Sequence, residues 1–94
     1  MKKICIELRN LGKKHPELLK QRLEAVDLTD LEFLIMKLRY IDQWDFKLIP
    51  EEIKRINNQA KPYSDRHIFR CHKSAIEKTV AKLKLADWLG FFVQ

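Results

Sequence analysis

The sequence SDRHIFRCHKSAIEKTVAKL, residues 64–83, decides the fold, because it predicts a capped helix with two chemically different faces. Ser64 belongs to the residue types preferred at a helix N-cap. Apolar or small side chains follow at steps of three and four residues, and they are Ile68, Cys71, Ala75, Thr79 and Leu83. This face is predicted to contact a hydrophobic core.

The other face of the same helix is polar and mostly basic. It brings five residues together near the helix start: Arg66, His67, Arg70, Lys73 and Ser74. Long cationic side chains suit phosphates and the edges of bases in the major groove of DNA. We therefore expect these five residues to bind DNA. The alternative for the three cations is an ordinary solvated helix face.

Composition favours one small folded binding domain, residues 1–94. The chain has 94 residues, of which 46% are hydrophobic and 34% charged, which is ordinary for a folded protein. Its net charge of +6 attracts polyanions, although many basic proteins bind no nucleic acid. The sequence contains no internal repeat, and a domain this small has little room for an elaborate catalytic cleft.

The cysteines and the N-terminus favour a cytoplasmic location. Cys5 and Cys71 are far apart in the sequence, and we expect both to be reduced core residues. The start MKKICIELRN lacks the long apolar region of a signal peptide. No apolar run has the length of a membrane span, so no membrane association is expected.

Periodicity and capping residues predict an all-α domain of four to five helices. Residues 4–11 fit either a strand or a short helix, and we favour the helix, with a break at Gly12. A second helix is expected from Pro16 to about Asp27, and a third over 30–41, capped by Thr29 or Asp30. After an interruption over 42–49, a helix over 50–58 and a turn over 61–63 are expected. The helix from Ser64 is expected to continue to Gly90 and to be followed by a buried apolar tail.

The order of three of these segments predicts a helix-turn-helix within about residues 28–83. An apolar helix over 30–41 precedes a short helix over 50–58, and the basic helix from Ser64 follows. This is the arrangement in which the last helix enters the major groove.

The same region resembles sigma-70 region 4-like domains, and it is most similar to the small phage and mobile-element transcription regulators of the ArpU and RinA type. The residues that carry the resemblance are LTDLE at 28–32, LRYI at 38–41, PEEI at 50–53, SDRHI at 64–68, CHK at 71–73 and AIEK at 75–78. Two features depart from the family pattern. The connection over 57–63 is longer than the usual turn and has no glycine, and the segment 42–49 is longer and more aromatic than the usual loop.

The resemblance implies a sequence-specific DNA-binding transcription regulator that recruits or blocks RNA polymerase. It places Arg66, His67, Arg70, Lys73 and Ser74 at the outward positions of the recognition helix. The expected partners are double-stranded DNA and RNA polymerase, and a homodimer is expected because such proteins commonly bind two half-sites. The alternative is a protein-interaction module of phage or mobile-element origin, which docks on RNA polymerase or a replication protein without reading DNA.

Other chemistries have weaker support in the sequence. Cys71 and His72 are adjacent on a helix and point in different directions, and no second pair stands at zinc-ligand spacing, so no metal is expected. A cysteine on a core-facing stripe is a poor nucleophile. The acidic pair Glu51 and Glu52 is explained by its place at a helix start. We expect no cofactor and no enzymatic activity.

Two aromatic groups have three interpretations each: core, dimer interface or partner-docking surface. The groups are Trp44 with Phe46, and Trp88 with Phe91 and Phe92. We favour the core for each. The C-terminal group is the better candidate for a partner or dimer surface, because a dimer needs an apolar surface away from the reading helix.

Overall fold

Five α-helices form the part of the chain that the computed structural model describes, which is residues 2–83. They are α1 (Lys2–Lys14), α2 (Pro16–Glu24), α3 (Asp30–Met36), α4 (Ile49–Asn57) and α5 (Asp65–Leu83). The described residues are 79% helical and contain no strand, which confirms the predicted all-α class. The predictions for the last residues, including the candidate surface at Trp88, Phe91 and Phe92, lie outside the described residues.

Helix α1 runs through the predicted break at Gly12, so that prediction was wrong. The backbone carbonyl of Tyr40 lies against Gly12, and a Cβ atom at this position would stand 1.7 Å from that oxygen. Because glycine has no Cβ atom, α1 and the chain after α3 can approach each other closely at this position. Residues 4–11 are helical, which confirms the favoured alternative to a strand.

Helices α2 and α3 begin at the predicted residues. Pro16 occupies the first turn of α2, which ends at Glu24 rather than near Asp27. Thr29 caps α3 through a capping box: its hydroxyl accepts from the Glu32 N–H at 3.1 Å, and the Glu32 carboxylate accepts from the Thr29 N–H at 2.9 Å. The start of α3 is fixed by local sequence.

The predicted continuous helix over 30–41 changes its hydrogen bonding half-way. The α-helix ends at Met36, and Lys37–Ile41 form a π-helical turn in which the Asp42 N–H donates to the Lys37 carbonyl at 2.9 Å. Gln43 follows with a φ of 65°. Its side-chain amide donates to the carbonyls of Arg9 and Tyr40 at 3.1 and 2.7 Å, which ties the π turn to α1.

The aromatic segment 42–49 folds back onto the helices. It contains a short 3₁₀ turn, Phe46–Leu48, whose start is capped by the Asp45 carboxylate. Trp44 and Phe46 are half-buried and pack against a cluster of buried residues that includes Ile49 and Ile53. Both residues therefore pack partly against the core, which was the favoured one of the three interpretations.

Two apolar clusters hold the helices together. One joins α1, α2, the end of α3, the π turn and the middle of α5; its buried members are Leu8, Leu11, Leu19, Leu23, Met36, Tyr40, Ala75 and Ile76. The other joins α3, the π turn, α4 and the start of α5, and its buried members are Ile35, Leu38, Ile49, Ile53 and Ile68. Helix α5 therefore contributes its first turns to one cluster and its middle to the other.

The connection between α4 and α5 turns without glycine. Asn58 has a left-handed backbone, with φ 52° and ψ 48°, and its N–H bonds back to the carbonyls of Lys54 and Arg55. Asparagine is the residue that most often replaces glycine at this position after a helix. The chain then passes through Pro62 to Ser64, whose hydroxyl accepts from the His67 N–H at 3.1 Å at the start of α5.

Candidate nucleic-acid interface

Three cations form an exposed stripe on the first half of α5, and we call Arg66, Arg70 and Lys73 the basic face. They stand four and three residues apart, so they lie on one side of the helix, and all three are exposed. In the described part of the chain, the salt bridges join carboxylates to Lys37, Lys54, Arg55 and Lys78 and to no residue of the basic face. The basic face is thus available to an external anion.

His67 lies beside the basic face but is half-buried. Its ring packs against Tyr63 with centroids 4.9 Å apart, and its Nε2 is 3.7 Å from the Cys71 Sγ. These contacts differ from the expected polar surface residue. The ring supports the connection before α5, and its predicted contact with DNA remains a prediction.

Ser74 is also half-buried, and it lies near a partly buried polar cluster rather than on the exposed stripe. The cluster centres on Glu32, whose carboxylate accepts from the Lys78 ammonium at 2.7 Å. Burial would raise the pKa of Glu32, but the hydrogen bonds from the Lys78 ammonium and the Thr29 N–H, together with the nearby Ser74 hydroxyl, outweigh it and lower that pKa to about 2. The cluster joins the start of α3 to the middle of α5.

A buried hydrogen bond joins the π turn to α5 behind the basic face. The Tyr40 hydroxyl lies 2.6 Å from the His72 Nε2. Burial, and secondarily the nearby Arg39 charge, lower the pKa of His72 to about 4, while burial raises the pKa of Tyr40 above its ordinary value. At neutral pH, therefore, tyrosine donates and the neutral imidazole accepts.

A group of aromatic rings in contact adjoins the basic face, and the sequence did not lead us to predict it. The Phe69 ring lies 5.2 Å from Phe46, whose ring also meets the edge of His72 at 4.9 Å and the Arg39 guanidinium at 4.4 Å. Phe69 is 52% exposed. The feature of the sequence that could have predicted this contact is Phe69, an aromatic residue among the cations on the polar side of the helix.

The predicted reader residues thus divide into two groups. Arg66, Arg70 and Lys73 come together as an exposed stripe, whereas His67 and Ser74 are half-buried against Tyr63 and Glu32. The exposed group can bind an anion directly. The half-buried pair has interior contacts that hold the helix in place.

Other kinds of site have little basis in residues 2–83. No group of three or more metal-ligating side chains comes together there, and none of the described helices has the length and apolarity needed to cross a bilayer. Cys5 and Cys71 are free and half-buried, and burial raises the pKa of the Cys71 thiol. An open groove of about 450 Å³ is lined mainly by apolar side chains of α2, of the α2–α3 connection and of α3.

Comparison of the chain with protein-family models, with curated proteins and with solved structures gives no match. The assignment of a function therefore rests on the residues and geometry described above.

Proposed function

We propose that this protein is a transcription regulator that binds double-stranded DNA with the first half of α5. Helices α4 and α5 form its helix-turn-helix, and Arg66, Arg70 and Lys73 contact phosphates and base edges in the major groove. The observation that carries the proposal is the basic face itself: three exposed cations on one side of a capped helix, with no intramolecular salt bridge in the described chain.

The packing of α5 supports this role. Ile68, in its first turn, lies in one cluster with Ile35 of α3 and Ile53 of α4. A recognition helix needs such a base, because two preceding helices must hold it while its outer face enters the groove. The Glu32 to Lys78 salt bridge adds a second attachment further along α5.

The direct test is a titration of a labelled random-sequence duplex, followed by fluorescence anisotropy. We expect the triple variant Arg66→Ala, Arg70→Ala, Lys73→Ala to bind at least about tenfold more weakly than the wild type. The matched control is Lys13→Ala, Lys14→Ala, Lys20→Ala, which removes the same charge from exposed positions on α1 and α2. Equal affinities for the two triple variants would contradict the proposal.

The proposal includes dimerisation and action in the cytoplasm by recruitment or blocking of RNA polymerase, with no catalytic step and no cofactor. Two copies would place two copies of α5 on two half-sites. Sedimentation of the protein with a duplex carrying an inverted repeat of its selected site tests this part. A bound mass of twice the 11.3 kDa chain is expected, and a single bound chain would contradict it.

A second candidate function is a protein-interaction module that does not read DNA. It is favoured by two exposed apolar side chains, Phe69 on the same side of α5 as the basic face at 52% exposure, and Leu48 in the 3₁₀ turn that contains Phe46 at 56%. Purified RNA polymerase offered to the wild type and to Leu48→Ala, Phe69→Ala separates the two functions. Polymerase binding that is lost in this variant, with no DNA binding by the wild type, would favour the second candidate.

A further inference from the structure

Phe69 places an aromatic ring within the basic face of α5. It follows Arg66 by three residues and precedes Lys73 by four, so the three side chains share one side of the helix. About half of the ring is exposed, at 52%. A single exposed apolar side chain is ordinary on a protein surface. Its place between Arg66 and Lys73, however, makes this side of the helix suited to a ligand that is both anionic and locally apolar.

The ring is held by its neighbours. Phe46 supports one side of Phe69 with centroids 5.2 Å apart. Phe46 itself is fixed by the edge of His72 and by the Arg39 guanidinium, which also donates to the Trp44 carbonyl at 3.0 Å. Phe69 therefore presents its exposed part from a fixed position, as a residue that reads a ligand must.

The chemistry of this face matches one feature of the DNA major groove. The groove has phosphates along both sides, which suit Arg66, Arg70 and Lys73, and a floor of polar base edges. The one apolar group on that floor is the C5-methyl of thymine, and phenylalanine is among the residues that contact it.

We propose that Phe69 is a specificity-determining residue that contacts the C5-methyl group of a thymine. This inference rests on the proposed function, because it requires α5 to enter the major groove. It goes further by naming the base that the protein prefers and the group that distinguishes this base from uracil.

The test uses duplexes enriched from a random library by the wild-type protein, with each thymine replaced in turn by deoxyuridine. Loss of one contacted methyl group should weaken wild-type binding about fourfold. Phe69→Ala should bind the thymine and uracil duplexes equally. Phe69→Leu keeps an apolar contact and should retain part of the preference, and circular dichroism checks that each variant is folded.

Ile6→Ala is the matched control, because Ile6 is 61% exposed on α1 and lies outside the basic face. It should retain the full thymine preference. A thymine preference that persists in Phe69→Ala would overturn the inference, and so would the absence of any thymine preference in the wild type. In both cases binding through the three cations would still stand. Absence of DNA binding would overturn both.

Discussion

His72 is kept neutral by its surroundings, and this has a consequence for stability. Its imidazole is 8% exposed, bonds to Tyr40, and packs between Phe46 and the π turn with Arg39 nearby. A proton on this ring would lose hydration and meet a cation without gaining a carboxylate partner. The folded protein therefore resists protonation that the unfolded chain accepts.

Stability is expected to fall as the pH decreases from about 7 toward 4. The unfolded His72 takes a proton near pH 6.5 and the folded one only near 4, so the unfolded state binds more protons within this window. The free energy of unfolding keeps its full value above about pH 6.5 and is lower by up to about 3 kcal/mol near pH 4. Urea denaturation at several pH values measures this difference.

The control for this measurement is a comparison of two histidine variants. His72→Gln should lose most of the pH dependence between 7 and 4.5, whereas His15→Gln, at an exposed position, should keep it. An unchanged pH profile in His72→Gln would refute the assignment. Glu32 adds a further loss as the pH falls from about 4.5 toward about 2, because the unfolded chain protonates this carboxylate first and protonation weakens its ion pair with Lys78.

Gly12 is the second residue whose identity is set by contacts distant in sequence. Gly12→Ala should destabilise the protein by about 1–3 kcal/mol or more, because the new methyl group would overlap the Tyr40 carbonyl oxygen, 1.7 Å away. The backbone there cannot move without breaking the Gln43 contacts. Asn10→Ala, at an exposed position of the same helix, is the control. Equal unfolding midpoints in urea for the two variants would contradict this explanation.

The helix boundaries divide into those set by local sequence and those set by packing. The capping box of Thr29 and Glu32 sets the start of α3, and the fixed φ angle of Pro16 favours the start of α2, so both could be predicted from local sequence. The passage of α1 through Gly12 could not, since it depends on Tyr40. The π turn at Lys37–Ile41 is likewise supported by Gln43 reaching α1.

The connection between α4 and α5 depends on Asn58 and its left-handed backbone. Asn58→Gly should leave stability unchanged or raise it by up to about 1 kcal/mol, because glycine adopts this conformation without a Cβ clash. Asn58→Ala should lower stability by about 1 kcal/mol. Asn57→Ala, one residue earlier in ordinary helix, is the control, and thermal unfolding of all three variants measures the order. Equal stabilities for glycine and alanine at position 58 would contradict the role given to this residue.

At the scale of the whole molecule, the same helix serves the core and the surface. The apolar period of α5 predicted Ile68 and Ala75 as buried, and both are. The remaining side of the helix was predicted as one reading surface, but the structure divides it, because α3 reaches Ser74 through Glu32 and the chain before α5 reaches His67 through Tyr63. Such contacts depend on how the helices pack, and the spacing of residues along one helix does not predict them.

The most direct test of DNA binding through the basic face is the salt dependence of the dissociation constant for a random duplex, between about 50 and about 200 mM salt. Wild-type affinity should fall steeply as salt rises. The logarithmic slope should be smaller by up to about 2.7 in Arg66→Ala, Arg70→Ala, Lys73→Ala, which is the change expected when three phosphate contacts are lost. Absent binding, or the same slope and affinity in wild type and variant, would contradict the proposed function.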